Sequence, residues 1–159
     1  MVPTKNFYSN GWQFSQLQFR ELSWFLEIRN LIRNNLHDSK EFSITETNAW
    51  YKNGMMGNLY YIVANYEYKV GYIRIKKEFG TNKTLLGLDL HPLHHGKGFA
   101  VPIFQEASKL VYELFKPNFI YLRVLKTNIV AINLYVKLGF QVCDETDIDI
   151  EMVIDIKKL

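Results

Sequence analysis

The 159-residue sequence predicts one α+β domain of mixed α/β character, with the element order ααβββαβαββ and a central, mostly antiparallel sheet. Three observations carry this reading. Between residues 59 and 90, three apolar runs are joined by short turns, the pattern of an antiparallel meander. From Ala100 to Leu114, apolar residues keep helical spacing over about four turns. After residue 119, β-forming runs flank one helical stretch that is capped at both ends. The length suits a single domain, residues 1–159, with a real hydrophobic core.

Taken in order, residues 1–12 mix turn formers with aromatics and read as an irregular or short-strand start. From Gln16 to Asn35, Leu17, Phe19, Leu22, Phe25, Leu26, Ile28, Leu31 and Ile32 recur at three- and four-residue spacing, predicting a buried helix with Ser23 as a break or cap. Ser43 and Glu46 form a capping box, so a second helix is expected from about Ile44 to Tyr51. Strands are expected at Leu59–Ala64, Tyr68–Ile75 and Leu85–Leu90. The helix that follows runs from Ala100 to Leu114, with Glu106, Lys109 and Glu113 off its apolar face, and stops at Lys116-Pro117-Asn118. Phe119–Leu125 reads as a buried strand. Asn128 caps a helix in which Ala131, Ile132, Tyr135 and Leu138 share a face, and Gly139 ends it. Two last strands, Gln141–Cys143 and Ile148–Ile154, flank a polar hairpin.

Composition excludes several function classes. The net charge of +3 is mild and no Lys/Arg block stands out beyond Lys76-Lys77 and Lys157-Lys158, so there is no strong electrostatic footprint for nucleic acid. No apolar run approaches the 18 or so residues of a membrane span, and nothing near Met1 resembles a leader; a soluble, unprocessed chain is expected. The one cysteine, Cys143, rules out an intrachain disulfide and a cysteine zinc cluster, and fits a reducing cytoplasm. It is expected to be a buried small apolar residue rather than a nucleophile. His91, His94 and His95 lack the carboxylate or thiolate that would complete a metal site, so a solvent-facing turn is expected and no metal.

The chemistry concentrates between Leu85 and Ala100. An apolar run ends at Pro92, and His95-Gly96-Lys97-Gly98-Phe99-Ala100 opens a helical pattern. A helix N-terminus leaves its first N–H groups unpaired and carries the positive end of the helix dipole, which favours anions. Glycines at 96 and 98 remove the Cβ atoms that would hold a phosphate away from those groups.

With a second motif, this arrangement resembles the GNAT superfamily of acyl-CoA-dependent N-acetyltransferases. The family opens its central helix with Gln/Arg-x-x-Gly-x-Gly/Ala; here Gly98 and Ala100 match, and His95 stands where Gln or Arg is usual. The family's Asn-x-x-Ala-x-x-Leu-Tyr-x-x-x-Gly-Phe is matched in full by Asn128, Ala131, Leu134, Tyr135, Gly139 and Phe140. The resemblance covers roughly residues 59–154. It implies a sheet splayed at an acyl-CoA groove and acetyl-CoA as co-substrate. Backbone groups of Leu88, Asp89 and Leu90 would pair with the pantetheine arm, and the main chain of His95, Gly96, Lys97, Gly98, Phe99 and Ala100 would hold the pyrophosphate. Asn128 would line the groove. Pro102 removes an N–H near the helix start, but the amides needed lie before it.

In such a reaction an amine attacks a thioester carbonyl and a thiolate leaves. Amine pKa values of about 8 to 10 mean that a base must take a proton, and an acid helps the sulfur depart. Motif position makes Tyr135 the acid, although the same spacing suits an aromatic packed in the core. Many relatives place a glutamate near position 84, where this chain has Thr84. Asp89, His91 and Glu67 are the alternatives for the base; Asp89 alternates with Leu88 and Leu90 and so lies on the opposite sheet face, which is either the substrate side or solvent.

The acceptor is chosen in this family by the N-terminal helices and their loop. Arg29-Asn30, Arg33, Leu36 and a capped helix ending in Trp50-Tyr51 are similar to members that acetylate nucleotide-linked (UDP or dTDP) amino sugars; ribosomal-protein N-terminal acetyltransferases share a looser version. Arg29 or Arg33 could pair with a diphosphate and Trp50 could stack on a base or sugar, while a solvated helix face accounts for the arginines equally well. The expected acceptor is a small-molecule amine, with a protein N-terminus or a polyamine as the other acceptors and a non-catalytic CoA-binding module as the other class. A homodimer paired through an exposed final strand is a further expectation.

Overall fold

The computed structural model describes residues 6–159. An eight-stranded sheet in the spatial order β1-β2-β3-β4-β5-β6-β8-β7 carries helices on both faces. The expected order is present from the first helix onward: α1 (Leu22–Leu31), α2 (Ile44–Lys52), β3 (Leu59–Ala64), β4 (Lys69–Lys77), β5 (Thr84–Leu90), α3 (Ala100–Phe115), β6 (Phe119–Leu125), α4 (Ile129–Leu138), β7 (Gln141–Glu145) and β8 (Asp149–Asp155).

Two further strands, β1 (Phe7–Ser9) and β2 (Trp12–Gln16), precede it, where an irregular or short-strand start is expected. Asn10 and Gly11 both take positive φ, 47° and 85°, which twists a two-residue turn to match the strands on either side. The β2 strand then pairs antiparallel with β3, Phe14 opposite Val63. This shortens the first helix. Leu17 and Phe19 belong to the strand exit and a 3-10 turn (Phe19–Glu21), and α1 begins only at Leu22, with Ser23 inside its first turn.

Helices α2 and α4 start and stop where their caps dictate. Glu46 N donates to Ser43 Oγ while the Glu46 carboxylate accepts from Ser43 N, and Asn128 Oδ1 accepts from Ala131 N at 3.3 Å. Gly139 ends α4 in the left-handed conformation.

Alternation along the strands splits the core in two. Tyr61, Val63, Ile73, Ile75 and Leu86 face α3, meeting Ile103, Phe104, Ala107 and Val111; Ile62 and Tyr72 face α1, meeting Leu22, Phe25 and Ile28. Glu106 is buried rather than off the packed face of α3. It accepts from Ser9 Oγ, Asn10 Nδ2 and Lys109 Nζ, so the β1–β2 turn is fastened to the helix. The final strand is not an edge: β8 lies between β6 and β7, and β7 forms the border. Cys143 is exposed rather than buried, because the whole of the border strand β7 is exposed.

The feature that positions the site is the join of the two halves. Strands β5 and β6 pair in parallel at one position, Leu85 opposite Tyr121, and part beyond it. The β4–β5 ladder, by contrast, is continuous from Thr84 to Leu90. At its end Gly71 faces the Asp89 carbonyl so closely that an added Cβ would lie 2.2 Å from that oxygen. Gly71→Ala is therefore expected to destabilise the protein by about 2–3 kcal/mol, read as a lower urea midpoint at unchanged slope.

Candidate active site

Peptide groups alternate in direction along a strand, and this decides what β5 offers to the gap. His91 N donates to Val70 O at 2.9 Å, so the odd-numbered residues of β5 bond toward β4 and the even-numbered ones turn toward the opening. Leu88 and Leu90 thus present main-chain groups to the gap, as the resemblance implies. Asp89 does not: its carbonyl faces Gly71, and only its side chain is left for chemistry. The Leu90 carbonyl already has a partner in His95 Nε2, at 2.9 Å. The histidine that replaces the usual Gln or Arg therefore ties the glycine turn to the end of β5.

Gly96 and Gly98 both take positive φ, 73° and 74°, and a Cβ at either would meet nothing within 4 Å. Among the described residues, no main-chain carbonyl accepts from the N–H groups of Gly96 to Ala100. An open concave run of donors at the mouth of a sixteen-residue helix suits a pyrophosphate. This turn borders a cavity of about 380 Å³ lined by Leu90, Gly96, Gly98, Ala100, Leu134 and Lys137. The residues present therefore fit a CoA chain lying between β5 and α4. His94 lies here too, stacked on Tyr68 with 4.9 Å between ring centroids. Burial and the nearby Lys97 charge push its pKa down, and its Nδ1 has no partner among the described residues. Among those residues, no group of three or more His, Cys, Asp or Glu is placed to hold a metal ion.

On the other side of the gap a larger cavity, about 590 Å³, lies between the sheet and helices α1 and α2. Leu88, Asn128, Ala131 and Tyr135 border it, so β5 and α4 line both cavities. Phe25, Trp50, Tyr60 and Tyr72 make an aromatic wall, with Phe25 and Trp50 stacked at 5.4 Å.

The two residues with an expected chemical role meet here. Tyr135 is 8% exposed, packed against Phe104 and Phe140 as the core reading expects, and it also lines the cavity. Burial, reinforced by the Asp89 charge, holds its phenol well above the ordinary value, so it keeps its proton at any working pH. Asp89 lines the same cavity, and burial raises its carboxyl above the ordinary range while Arg74 partly offsets this. The other candidates for the base are elsewhere. His91 Nδ1 accepts from Leu93 N, Glu67 sits in the exposed β3–β4 turn, and Thr84 is buried at the start of β5.

Of the residues expected to meet the acceptor, Trp50 and Arg29 line the cavity and Arg33 does not; its guanidinium lies 3.5 Å from Glu41 on the outer surface. Arg29 is engaged within the chain. It donates to the carbonyls of Asp38 and Lys40 and lies 4.2 Å above the Phe42 ring, so it organises the loop that closes the cavity. The sequence reading missed Tyr60, Tyr72 and Arg74. Their signal was the two-residue alternation of β3 and β4, which puts them on the face opposite the main core.

Residues 23–140 match the model of the acetyltransferase (GNAT) family, about three-quarters of the chain. The chain belongs to that family. It is an acyltransferase of the acetyltransferase class. Solved structures share the fold at low identity. FdhC, described as a nucleotide-linked sugar GNAT, is 19% identical over 98% of this chain and 93% of its own, with a TM-score of 0.79. The spermidine N-acetyltransferase of Vibrio cholerae, solved with CoA and spermine, is 19% identical over 93% and 97%, TM-score 0.82. YncA of Salmonella typhimurium, a putative acetyltransferase solved with acetyl-CoA, is 16% identical over 92% and 95%, TM-score 0.71. No curated protein sequence matches the chain significantly. Among the described residues no helix is long and apolar enough to cross a membrane.

A carboxyl whose pKa is higher folded than unfolded opposes folding once ionised. For Asp89 that penalty is absent below the unfolded value, about 3.9, and grows as pH rises through the folded one. Asp89→Asn is expected to raise Tm near pH 7, with the gap closing as melts are repeated down to about pH 4. A gap that widens on acidification would reverse this assignment.

Proposed function

We propose that this chain moves an acetyl group from acetyl-CoA to the primary amine of a small molecule, and that the acceptor is a nucleotide-linked amino sugar. The observation that carries the reading is the pair of cavities that β5 and α4 both line where β5 and β6 part, one bordered by the glycine turn and the other by Asp89 and Tyr135.

The main chain of Gly96 to Ala100 holds the pyrophosphate, and the Leu88 main-chain groups with the Leu90 N–H, which face the gap, hold the pantetheine arm. The thioester carbonyl is then presented to the larger cavity. The amine attacks that carbon, the new C–N bond forms and the C–S bond breaks. Asp89, directly or through water, takes the proton lost by nitrogen. Tyr135, kept protonated by burial, gives its proton to the departing sulfur. Asn128, as the cap of α4, sets the height of that helix and so the reach of Tyr135.

Support for the acceptor comes from the cavity walls. Phe25, Trp50, Tyr60 and Tyr72 offer flat apolar surface to a base or a sugar face. A polyamine would need carboxylates to meet it, and Asp38 and Glu46 on the cavity rim are answered by Arg29 and Lys40.

Release of CoA thiol from acetyl-CoA is the test, run with UDP- and dTDP-linked 3-amino and 4-amino sugars beside peptides and polyamines. Turnover is expected with one amino-sugar nucleotide. Turnover with peptides or polyamines alone keeps the reaction and overturns the acceptor; silence with acetyl-CoA still bound points to a binding module. Tyr135→Phe is expected to lower kcat about 10²-fold or more while the Kd for acetyl-CoA changes less than about threefold. Equal turnover of variant and wild type would remove Tyr135 from the chemistry.

A further inference from the structure

The charged side chains lining the larger cavity are, with two exceptions, already engaged inside the protein. Arg29 holds loop carbonyls and lies near Asp38. Arg123 pairs with Glu78 and Glu151 at 2.8 and 2.9 Å. His37 meets Asp149 at 2.8 Å, and Glu46 meets Lys40 at 2.9 Å. The exceptions are Asp89 and Arg74, which have tyrosine hydroxyls, of Tyr72 and Tyr60 respectively, as polar neighbours and no ion-pair partner among the described residues. Among the described residues no carboxylate forms an ion pair with Arg74, although its side chain is exposed into the cavity.

Placement makes this arginine more than a surface residue. It stands opposite Tyr60 on β3 and opposite Gly87 on β5, on the face that carries Tyr72 and Asp89. A Cβ at Gly87 would lie 3.7 Å from Arg74 Nη2, so the guanidinium rests over the one residue of β5 that has no side chain to cover it. Its charge is felt at Tyr60, Tyr72, Asp89 and, across the gap, Tyr135. Asp89 is its diagonal neighbour but is not in ion-pair contact, which leaves the carboxylate for the amine and the guanidinium for something else.

We infer that Arg74 is the acceptor-anchoring residue, which takes an anionic group, phosphate or carboxylate, carried by the acceptor close to its amine. This rests on the reading that the larger cavity receives the acceptor. A guanidinium offers a fork of donors that a phosphate or carboxylate can accept in pairs, and the aromatic wall beside it weakens competition from water. Asp89 and Arg74 then form a two-point template: the amine end lies by the carboxylate and Tyr135, the anionic end by the guanidinium. A polycation gains at one point and is repelled at the other. Discrimination therefore comes from the strand face of the sheet as well as from the helical loop.

The test uses the whole chain saturated with CoA, so that the glycine turn is filled and cannot bind the probe. Uridine diphosphate and L-serine are titrated calorimetrically into wild type, Arg74→Gln and Arg74→Lys, with thermal melts confirming that each is folded. At least one probe is expected to bind wild type, with affinity about 10- to 100-fold weaker in R74Q and an intermediate loss in R74K. Binding of uridine diphosphate alone identifies a phosphate as the anion; binding of L-serine alone identifies a carboxylate. Equal affinity in wild type and R74Q, or no binding of either probe by wild type, overturns the inference. Because nothing here depends on turnover, a failed acetylation panel counts against the proposed reaction, and the titrations still decide Arg74. In matched acceptors with and without the anionic group, the kcat/KM ratio between them should also collapse in R74Q.

Discussion

Everything that makes this chain more than a packed sheet depends on two parallel strands failing to stay together. A sheet is stable because each strand satisfies its neighbour's main-chain donors and acceptors, and an unpaired buried group is costly. Here β5 and β6 share one position and then diverge, so the inner edge of β5 at Leu88 and Leu90 is left open. The fold tolerates this because β5 is held along its whole length by β4, and β6 along its whole length by β8. Two self-sufficient half-sheets can afford a seam. Each half also has its own helix beside the opening, α3 leading from β5 and α4 leading from β6, so the wedge is bounded on every side by regular structure.

That seam orders the chemistry. Main-chain groups look into it from β5, a glycine turn sits at its mouth, and side chains from the two sheet faces are separated by the thickness of one strand. Leu88 and Leu90 pack toward the main core while Asp89, between them, points to the opposite cavity. One strand thus borders both the cavity beside the glycine turn and the cavity under α1 and α2, and its alternation is what lets it face both. The His95–Leu90 bond ties the turn at the mouth to the end of that same strand, so the two parts are not independent of each other.

Much of this was legible in the sequence where the signals were local. Caps at Ser43, Asn128 and Gly139 each involve side chains or φ values within a few residues, and α2 and α4 begin and end where those caps predict. The motif residues 95–100 and 128–140 likewise fall where the family pattern requires. Signals that depend on distant partners were not readable. Leu17 and Phe19 continue a helical spacing, yet Leu17 N donates to Tyr60 O at the exit of β2 and Phe19 opens a 3-10 turn, so α1 starts only at Leu22. Cys143 looks like a core residue in a short apolar strand, and it is exposed because that strand forms the border of the sheet. Arg29 and Arg33 carry the right charge for an acceptor, but which arginine is spoken for depends on carbonyls and carboxylates brought up by the loop after α1. Arg74 sits in a strand that reads as ordinary amphipathic sheet, and its position in a chamber appears only once α1 and α2 are laid over that face.

The loop between α1 and α2 has a consequence for how this enzyme could change its substrate. It is stitched at both ends: Arg29 gathers the carbonyls of Asp38 and Lys40, Asn30 exchanges two hydrogen bonds with the backbone of Phe42, and His37 reaches β8 at Asp149. Such a roof is inherited as a set. Point changes within 36–42 would fray it before they reshaped it, whereas a transplanted loop would have to arrive with partners for Arg29, Asn30 and Asp149 already in register. Divergence toward a new amine is then easier through the floor, where Tyr60, Tyr72 and Arg74 stand on rigid strands and can be exchanged one at a time.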